Sequence, residues 1–147
     1  MIITASVTIS ADINTVWDTL TDLTCWKDWN TVITDVTGEK PRKLTEGRPF
    51  NFCIRPFALP VRIEPIVDEV VPYKKITWSG KKFGVLARHD FFFEDSAGGV
   101  KVTSVETFTG LKLTLTWFKL SKWRLYSMTS LLLDELKKAS ELATQYR

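Results

Sequence analysis

Histidine is nearly absent from this sequence: His89 is the only one among 147 residues. A metal site that uses several imidazoles is therefore excluded, and a catalytic group that needs an imidazole has one candidate. Cysteine is also scarce, and Cys25 and Cys53 form neither a metal-binding spacing nor a disulfide framework. Two isolated thiols are typical of a reducing compartment. We therefore predict a cytoplasmic protein without a metal centre.

Motifs that cradle phosphates or activate a serine are missing as well. The chain contains no GxGxxG, no GxxxxGK[ST] and no GxSxG. The first two shape glycine-rich loops around nucleotide phosphates, and the third presents a nucleophilic serine on a sharp turn. The sequence therefore predicts no nucleotide cofactor and no serine nucleophile.

Long apolar runs and a strong charge of one sign are also lacking. No segment approaches the length of a transmembrane helix, and the first residues, MIITASVTISA, lack the basic region of a signal peptide. The 20 Lys and Arg residues exceed the 17 Asp and Glu residues by only three. Lysine doublets at 74–75, 81–82 and 137–138 are interleaved with acids, which is typical of a solvated surface. We predict no nucleic-acid partner and no transmembrane segment.

The hydrophobic patterns predict one α+β domain over residues 1–147. Alternating β-branched residues at the start indicate a strand, and Ser10 or Asp12 can cap a short helix that ends near Leu20. Asp22 is positioned to cap a second short helix. Short β-branched and aromatic runs between turn residues then predict six antiparallel strands, at residues 31–37, 49–55, 59–71, 74–79, 86–94 and 100–108.

The last segment changes to a helical period. Residues 119–145 contain no Gly or Pro. Apolar residues three and four positions apart form one stripe, at Leu125, Met128, Leu132, Leu136, Ala139, Ala143 and Tyr146. A long helix with such a stripe must bury it against the sheet. The space between a curved sheet and this helix is filled by large side chains or by a ligand.

The order of these elements resembles the START-related helix-grip superfamily, also called SRPBCC, which includes polyketide cyclases, lipid-transfer domains and birch-pollen-allergen-like proteins. The matching segments span nearly the whole chain: ADINTVWDTLTDLTCWKDWN, KKITWSG, RHDFFFEDSAGGVKVTSVETFTG and LLLDELKKASE. The closest similarity is to bacterial polyketide-cyclase/dehydrase-like members. The resemblance implies the order β-α-α-β6-α, in which a curved sheet wraps around the long helix and encloses a mostly apolar cavity. It implies a hydrophobic ligand but no single chemistry.

The register of the last hairpin predicts which side chains face this cavity. If residues 96–99 form its loop, paired positions sum to 195, so His89 lies opposite Glu106 and Phe91 lies opposite Ser104. The opposite face of the hairpin is far more charged. Strand alternation therefore predicts one inward set: His89, Phe91, Phe93, Val102, Ser104, Glu106 and Phe108.

His89 and Glu106 form the polar site of this predicted wall. A carboxyl group in apolar surroundings takes up a proton or a partner, and the imidazole is close enough to be that partner. Three interpretations stay open: a buried pair that satisfies itself, a polar anchor for a ligand, and an acid–base pair that transfers protons.

Further candidates lie on the other elements. Trp78 alternates with Ile76 and is expected inside, as core or as a ligand contact, while Met128 and Leu132 would roof the cavity. Arg55 or Arg62 would bind a ligand carboxylate if either pointed inward. Aromatic and basic residues at the start of the long helix are candidates for a cavity rim or a transient membrane contact, namely Trp117, Phe118, Leu120 and Trp123 with Lys112, Lys119, Lys122 and Arg124.

Three functions follow from these features. The first is binding or transport of a hydrophobic small molecule of lipid, polyketide or aromatic type, by a monomer or a homodimer without a cofactor. The second is a polyketide cyclase or dehydratase in which His89 and Glu106 move protons. The third is an interaction module whose cavity is filled by its own six Trp and nine Phe residues.

Overall fold

The computed structural model describes residues 1–37, 43–110 and 116–146, and for residues 116–120 only the backbone. Its helices are α1 (Ile13–Thr21), α2 (Trp26–Trp29) and α3 (Thr116–Gln145), with a single 3₁₀ turn at Leu23–Cys25 before α2. Its strands are β1 (Ile2–Ile9), β2 (Thr34–Thr37), β3 (Asn51–Ile54), β4 (Val61–Ile63), β5 (Ile66–Val71), β6 (Lys75–Lys82), β7 (Val85–Ser96) and β8 (Gly99–Thr109).

The strands form two antiparallel sheets. Five strands pair in the order β1-β8-β7-β6-β5, and three short strands pair in the order β2-β3-β4. The larger sheet is open, since β1 and β5 are its two edges. The long helix α3 packs against β1, β8 and α1. The predicted α+β fold, an antiparallel sheet that grips a long C-terminal helix, is confirmed.

One predicted strand is two strands in the structure. The run at 59–71 breaks between Ile63 and Ile66, so seven strands rather than six lie between α2 and α3. Pro65 explains the break, because proline has no N–H to donate to a ladder. Upstream of it β4 pairs with β3, and downstream β5 pairs with β6. The carbonyl of Pro65 still accepts a hydrogen bond from the Phe50 amide at 3.1 Å, which ties the small sheet to the large one.

The helix starts follow from local capping chemistry. The Asp12 side chain accepts a hydrogen bond from the Thr15 amide at 2.9 Å and therefore caps α1, so Asp12 rather than Ser10 fills this role. Asp22 accepts from the Thr24 amide at 3.0 Å and caps the 3₁₀ turn in the same way. The helix α2 itself begins at Trp26 without a side-chain cap, so the predicted cap at Asp22 serves the 3₁₀ turn that leads into α2.

The stripe on α3 is buried over its middle turns. Leu132, Leu133 and Leu136 lie in the core, and Met128 is half-buried. The predicted stripe was too long at its end, since Ala143 and Tyr146 are exposed. The buried turns of α3 therefore cover the sheet, and the half-buried turns before them lie over open space.

Candidate functional site

Two adjoining cavities lie between the sheets and α3. The inner cavity encloses about 130 Å³ and the outer cavity about 500 Å³. They share part of their lining: Ile54, Ile63, Gly80, Ala87, Phe108 and Leu125. The aromatic side chains that the structure describes therefore do not fill the space inside the grip.

Most of the large rings pack at the end of the grip near α1 and α2. The Trp26 ring meets the Phe50 and Trp78 rings at centroid distances of 6.1 and 6.2 Å, and its indole N–H donates to the Leu20 carbonyl at 2.7 Å. Trp17 packs edge-on against Phe93 at 5.0 Å. These rings close one end of the molecule, which leaves the linked cavities at the other.

Six of the nine predicted ligand-binding residues line the inner cavity: Trp78, His89, Glu106, Phe108, Met128 and Leu132. The other three share the inward face of the hairpin but do not line either cavity. Phe91 and Ser104 are fully buried beneath the cavity wall, and Phe93 is covered by Trp17. We therefore restrict the proposed ligand contacts to the six lining residues.

The predicted hairpin register is confirmed. His89 pairs with Glu106, Phe91 with Ser104, and Ser96 with Gly99. The two-residue connection at Ala97 and Gly98 fixes this register, because a slip of one residue would turn every side chain to the other face. The imidazole and the carboxyl group therefore project side by side into the inner cavity.

Four side chains form a polar quartet at the inner cavity: His89, Glu106 and Thr129 line it, and Ser104 lies buried behind His89. The Nε2 atom of His89 lies 2.6 Å from the Ser104 hydroxyl oxygen and 3.7 Å from Oε1 of Glu106. The hydroxyl of Thr129 donates to the same Oε1 at 2.7 Å. His89 and Glu106 face each other as predicted, but each makes its short hydrogen bond to a hydroxyl group, since 3.7 Å exceeds hydrogen-bond distance.

The surroundings of His89 keep its imidazole neutral. Its ring stacks on Phe91 at a centroid distance of 4.2 Å and meets the Trp78 ring at 5.1 Å. Burial lowers the pKa of His89 below its ordinary value near 6.5, and the opposing effect of the Glu106 and Asp90 carboxyl groups is smaller. A neutral imidazole has one nitrogen that donates and one that accepts, so it can bind a neutral polar group or exchange a proton.

This burial predicts a pH dependence of folding. The native pKa of His89 lies below the unfolded value, so the unfolded chain binds the proton more readily. Titration of His89 should therefore leave the free energy of unfolding unchanged above about pH 6.5. Below that pH the free energy of unfolding should fall, by no more than about 1.4 kcal/mol per pH unit. Urea titrations between about pH 7 and pH 5 measure this slope.

The variant His89→Gln is the control for this slope. Asp90 and Glu141, whose pKa values are also lowered, have ordinary values of 3.8 and 4.5 and affect stability only below those. Because the chain has one histidine, the variant should show a flat profile between about pH 7 and pH 5. An equal slope in both proteins would contradict a buried, neutral His89.

Both arginines considered for ligand binding lie outside the cavities. Arg62 pairs with Cys53 in the small sheet, and its guanidinium donates to the Thr37 hydroxyl at 2.6 Å and approaches the Cys53 sulfur at 3.8 Å. The neighbouring pair, Phe52 and Ile63, lines the inner cavity. Strand alternation therefore turns Arg62 outward, and Arg55 is exposed.

Sequence patterns alone did not identify two parts of the lining. Thr129 lies within the apolar stripe of α3, and a polar residue on a buried face is the signal that could have marked it. Residues of the small sheet and the segment before it also line the inner cavity, namely Val32, Ile33, Phe52, Ile54 and Ile63. Alternation of Phe52 and Ile54 was the available signal for β3.

The outer cavity opens between two connections and α3. Pro56 and Phe57 line it from the β3–β4 connection, Lys82 lines it from the end of β6, and Phe83 lines it from the β6–β7 turn. Arg124 of α3 donates through Nε to the Pro56 carbonyl at 3.1 Å, which joins the helix to this rim. The predicted rim residues Lys112, Trp117, Phe118, Lys119 and Leu120 lie outside the residues whose side chains are described, while Lys122 and Trp123 are exposed.

Within residues 1–37, 43–110 and 116–146, no three His, Cys, Asp or Glu side chains come together in a way that could hold a metal ion. None of the helices described is long and apolar enough to cross a bilayer.

Comparison with known proteins agrees with this architecture. The protein TTHA0849 from Thermus thermophilus has 14% identity and a TM-score of 0.81, over 98% of this chain and 99% of that chain. The hypothetical protein jhp0584 from Helicobacter pylori has 17% identity and a TM-score of 0.75, over 95% and 88%. The di-domain ARO/CYC BexL from the BE-7585A biosynthetic pathway has 15% identity and a TM-score of 0.78, over 96% of this chain and 50% of that chain. At these identities the likeness is one of fold.

No curated protein matches the sequence. A family model described as "Polyketide cyclase / dehydrase and lipid transport" matches residues 1–141. The predicted membership of the SRPBCC helix-grip superfamily is thereby confirmed, and the coarse function is hydrophobic ligand binding or a polyketide-cyclase role. The chain belongs to the polyketide cyclase/dehydrase and lipid transport family.

Proposed function

We propose that this protein binds a hydrophobic small molecule in the two linked cavities and acts as a binding or transport protein. The observation that supports this proposal is an open, mostly apolar space that extends from the rim of the outer cavity to the polar quartet beside the inner cavity. The outer cavity, about 500 Å³, lies within the range of about 300–1,000 Å³ typical of small-molecule sites. An apolar lining with a few convergent polar groups is also typical of such sites.

The polar quartet restricts the chemistry of the ligand. His89 is neutral and Glu106 carries an acidic group, and the one cation of the inner lining, Arg88, is paired with Asp90 at 3.1 Å. Among the described residues, the inner end of the site therefore offers no unpaired positive charge to an anionic group. A hydroxyl or carbonyl group would find both donors and acceptors there. The ligand is therefore an apolar molecule with a neutral polar group at the end that enters first.

Small residues keep the two cavities connected. Ala87 lies opposite Phe108 in the β7–β8 ladder and lines both cavities. The variant Ala87→Phe places a ring in the shared space, so binding of a neutral probe, N-phenyl-1-naphthylamine, should weaken at least about tenfold. Fluorescence titration measures the dissociation constant, and thermal melting shows that the variant folds.

Leu86→Phe is the matched control. Leu86 is the preceding residue of the same strand, and its side chain is 44% exposed because it points to the other face. This variant should bind the probe with wild-type affinity. Unchanged binding by a folded Ala87→Phe variant, or failure of the wild type to bind any neutral apolar probe, would overturn the proposal.

Catalysis of the cyclase or dehydratase type is the second candidate function. The observation that favours it is the neutral imidazole of His89 within 3.7 Å of the Glu106 carboxyl group, because such a pair can accept one proton and donate another. The variants His89→Gln and Glu106→Gln separate the two functions. If the protein is an enzyme, both should bind a candidate polyketone and fail to turn it over, and full activity of either variant would exclude the acid–base pair.

A further inference from the structure

The rim of the outer cavity carries large apolar side chains that the fold does not bury. Leu59, in the β3–β4 connection, is 76% exposed, and Phe83, in the β6–β7 turn, is 71% exposed. Phe57, beside Leu59, is 50% exposed. The two connections are far apart in the sequence, but Phe57 and Phe83 line the same cavity. Phe57 and Phe83 therefore lie on one rim, and Leu59 follows two residues after Phe57 in the same connection.

Phe83 is also kept in an unfavourable conformation. It forms a two-residue turn with Gly84 between the paired residues Lys82 and Val85, and both turn residues have positive φ, 52° and 77°. Asparagine followed by glycine is the preferred pair for such a turn, and bulky residues avoid it. The stability of the turn therefore does not explain why position 83 is a phenylalanine, whereas a function of its exposed ring at the surface does.

Positive charge accompanies these side chains. Lys81 and Lys82 line the outer cavity next to Phe83, and the ammonium group of Lys82 lies 5.5 Å from the centre of the Phe83 ring. Arg124 donates a hydrogen bond to the Pro56 carbonyl in the same rim, and the exposed Arg55 directly precedes Pro56. Glu64 is the acidic residue in the described lining, so cations predominate.

We infer that the rim formed by the 55–60 connection and the Phe83 turn docks the protein on an anionic lipid surface. Leu59 and Phe83 insert below the headgroups, and the surrounding lysines and arginines meet the lipid phosphates. The charge of the rim selects this partner, because apolar tips within a ring of cations complement an acidic bilayer. The cavity then opens toward the membrane. This inference goes beyond the proposed function and does not depend on what the cavity holds.

Flotation of the full chain with vesicles tests the inference. The wild type should float with vesicles of phosphatidylcholine and phosphatidylglycerol, and much less with phosphatidylcholine alone. Binding should fall at least about tenfold when salt is raised from about 0.1 to about 0.5 M, since phosphate contacts are screened. A wild-type protein that stays in the aqueous fraction with anionic vesicles would overturn the inference.

Two variants separate docking from folding and from ligand binding. Phe83→Asn should lose about tenfold or more in vesicle binding while melting at or above the wild-type temperature, because asparagine favours the turn. Leu59→Ser should weaken vesicle binding similarly but keep wild-type affinity for N-phenyl-1-naphthylamine, since Leu59 lines neither cavity. Loss of probe binding with intact docking would therefore count against the proposed function alone.

Leu142→Ser is the matched control for surface hydrophobicity. Leu142 is 54% exposed on α3, about 25 Å along the helix from the cavity residue Leu125. This variant should bind vesicles like the wild type. Equal loss in Leu142→Ser and Leu59→Ser, or a Leu59-dependent dimer that does not bind vesicles, would overturn the assignment of the rim to a lipid surface.

Discussion

Leu136→Ala should lower the free energy of unfolding by about 2–5 kcal/mol. Leu136 is fully buried in the middle of α3, in one core with Leu132, Leu133 and residues of the sheet. Removal of its side chain costs the transfer free energy of the lost atoms and leaves a void beneath the helix. Urea denaturation followed by circular dichroism measures the change.

The same substitution at an exposed position of the same helix is the control. Leu142 is 54% exposed, so Leu142→Ala should change the free energy of unfolding by less than about 0.5 kcal/mol. Both variants replace leucine by the best helix former, which removes helix propensity as an explanation. A similar loss in both would mean that α3 does not bury its stripe against the sheet.

Gly99→Ala should cost more than about 4 kcal/mol, which is exceptional for a single methyl group. Gly99 begins β8 with φ at +143°, and a Cβ atom there would overlap the carbonyl oxygen of Ile9 in β1. The overlap involves the backbone of both strands, so a rotamer change cannot relieve it. Loss or a large shift of the cooperative urea transition is the expected result.

Gly98→Ala isolates the overlap from backbone strain. Gly98 also has positive φ, +90°, but a Cβ atom there would meet nothing within 4 Å. This variant should therefore cost only about 1–2 kcal/mol, the penalty of a left-handed conformation. Equal stability of the two variants would contradict the close approach of β1 to the hairpin that holds His89 and Glu106.

The hairpin shows how much of the site follows from local sequence. Alternation places aromatic side chains on one face of β7 and charged ones on the other, and a two-residue turn then fixes the register. The pairing of His89 with Glu106 could be predicted because both signals lie within one hairpin, residues 86–109. The burial of Leu132 and Leu136 follows equally well from the helical period.

Contacts between distant segments could not be predicted in this way. Thr129 meets Glu106 across 23 residues and across two elements, and nothing in the sequence near Thr129 encodes that approach. Ser104 was placed on the correct face, but its bond to His89 depends on the rotamers of both side chains. Strands are predicted at 49–55 and 59–71, but the bend between Pro56 and Pro60 leaves open which of their side chains point inward, so Phe52, Ile54 and Ile63 are not identified as lining.

At Pro65 the sequence contains two opposing signals, a proline that interrupts a strand and a β-branched run that favours one. A β-branched run spans residues 59–71, and this pattern favours one strand. A proline in the middle of such a run argues against one continuous strand, and the structure divides the run there between two sheets. That division matters for function, because β4 carries Ile63 into the cavity wall.

Native mass spectrometry of the purified protein tests most directly whether the linked cavities hold a hydrophobic small molecule. After exposure to a mixed lipid and polyketide extract, the wild type and Leu86→Phe should carry one apolar molecule per chain. Ala87→Phe, with its cavity blocked, should appear at the bare protein mass. A bare wild type after such exposure, or equal occupancy in all three proteins, would contradict the proposed binding.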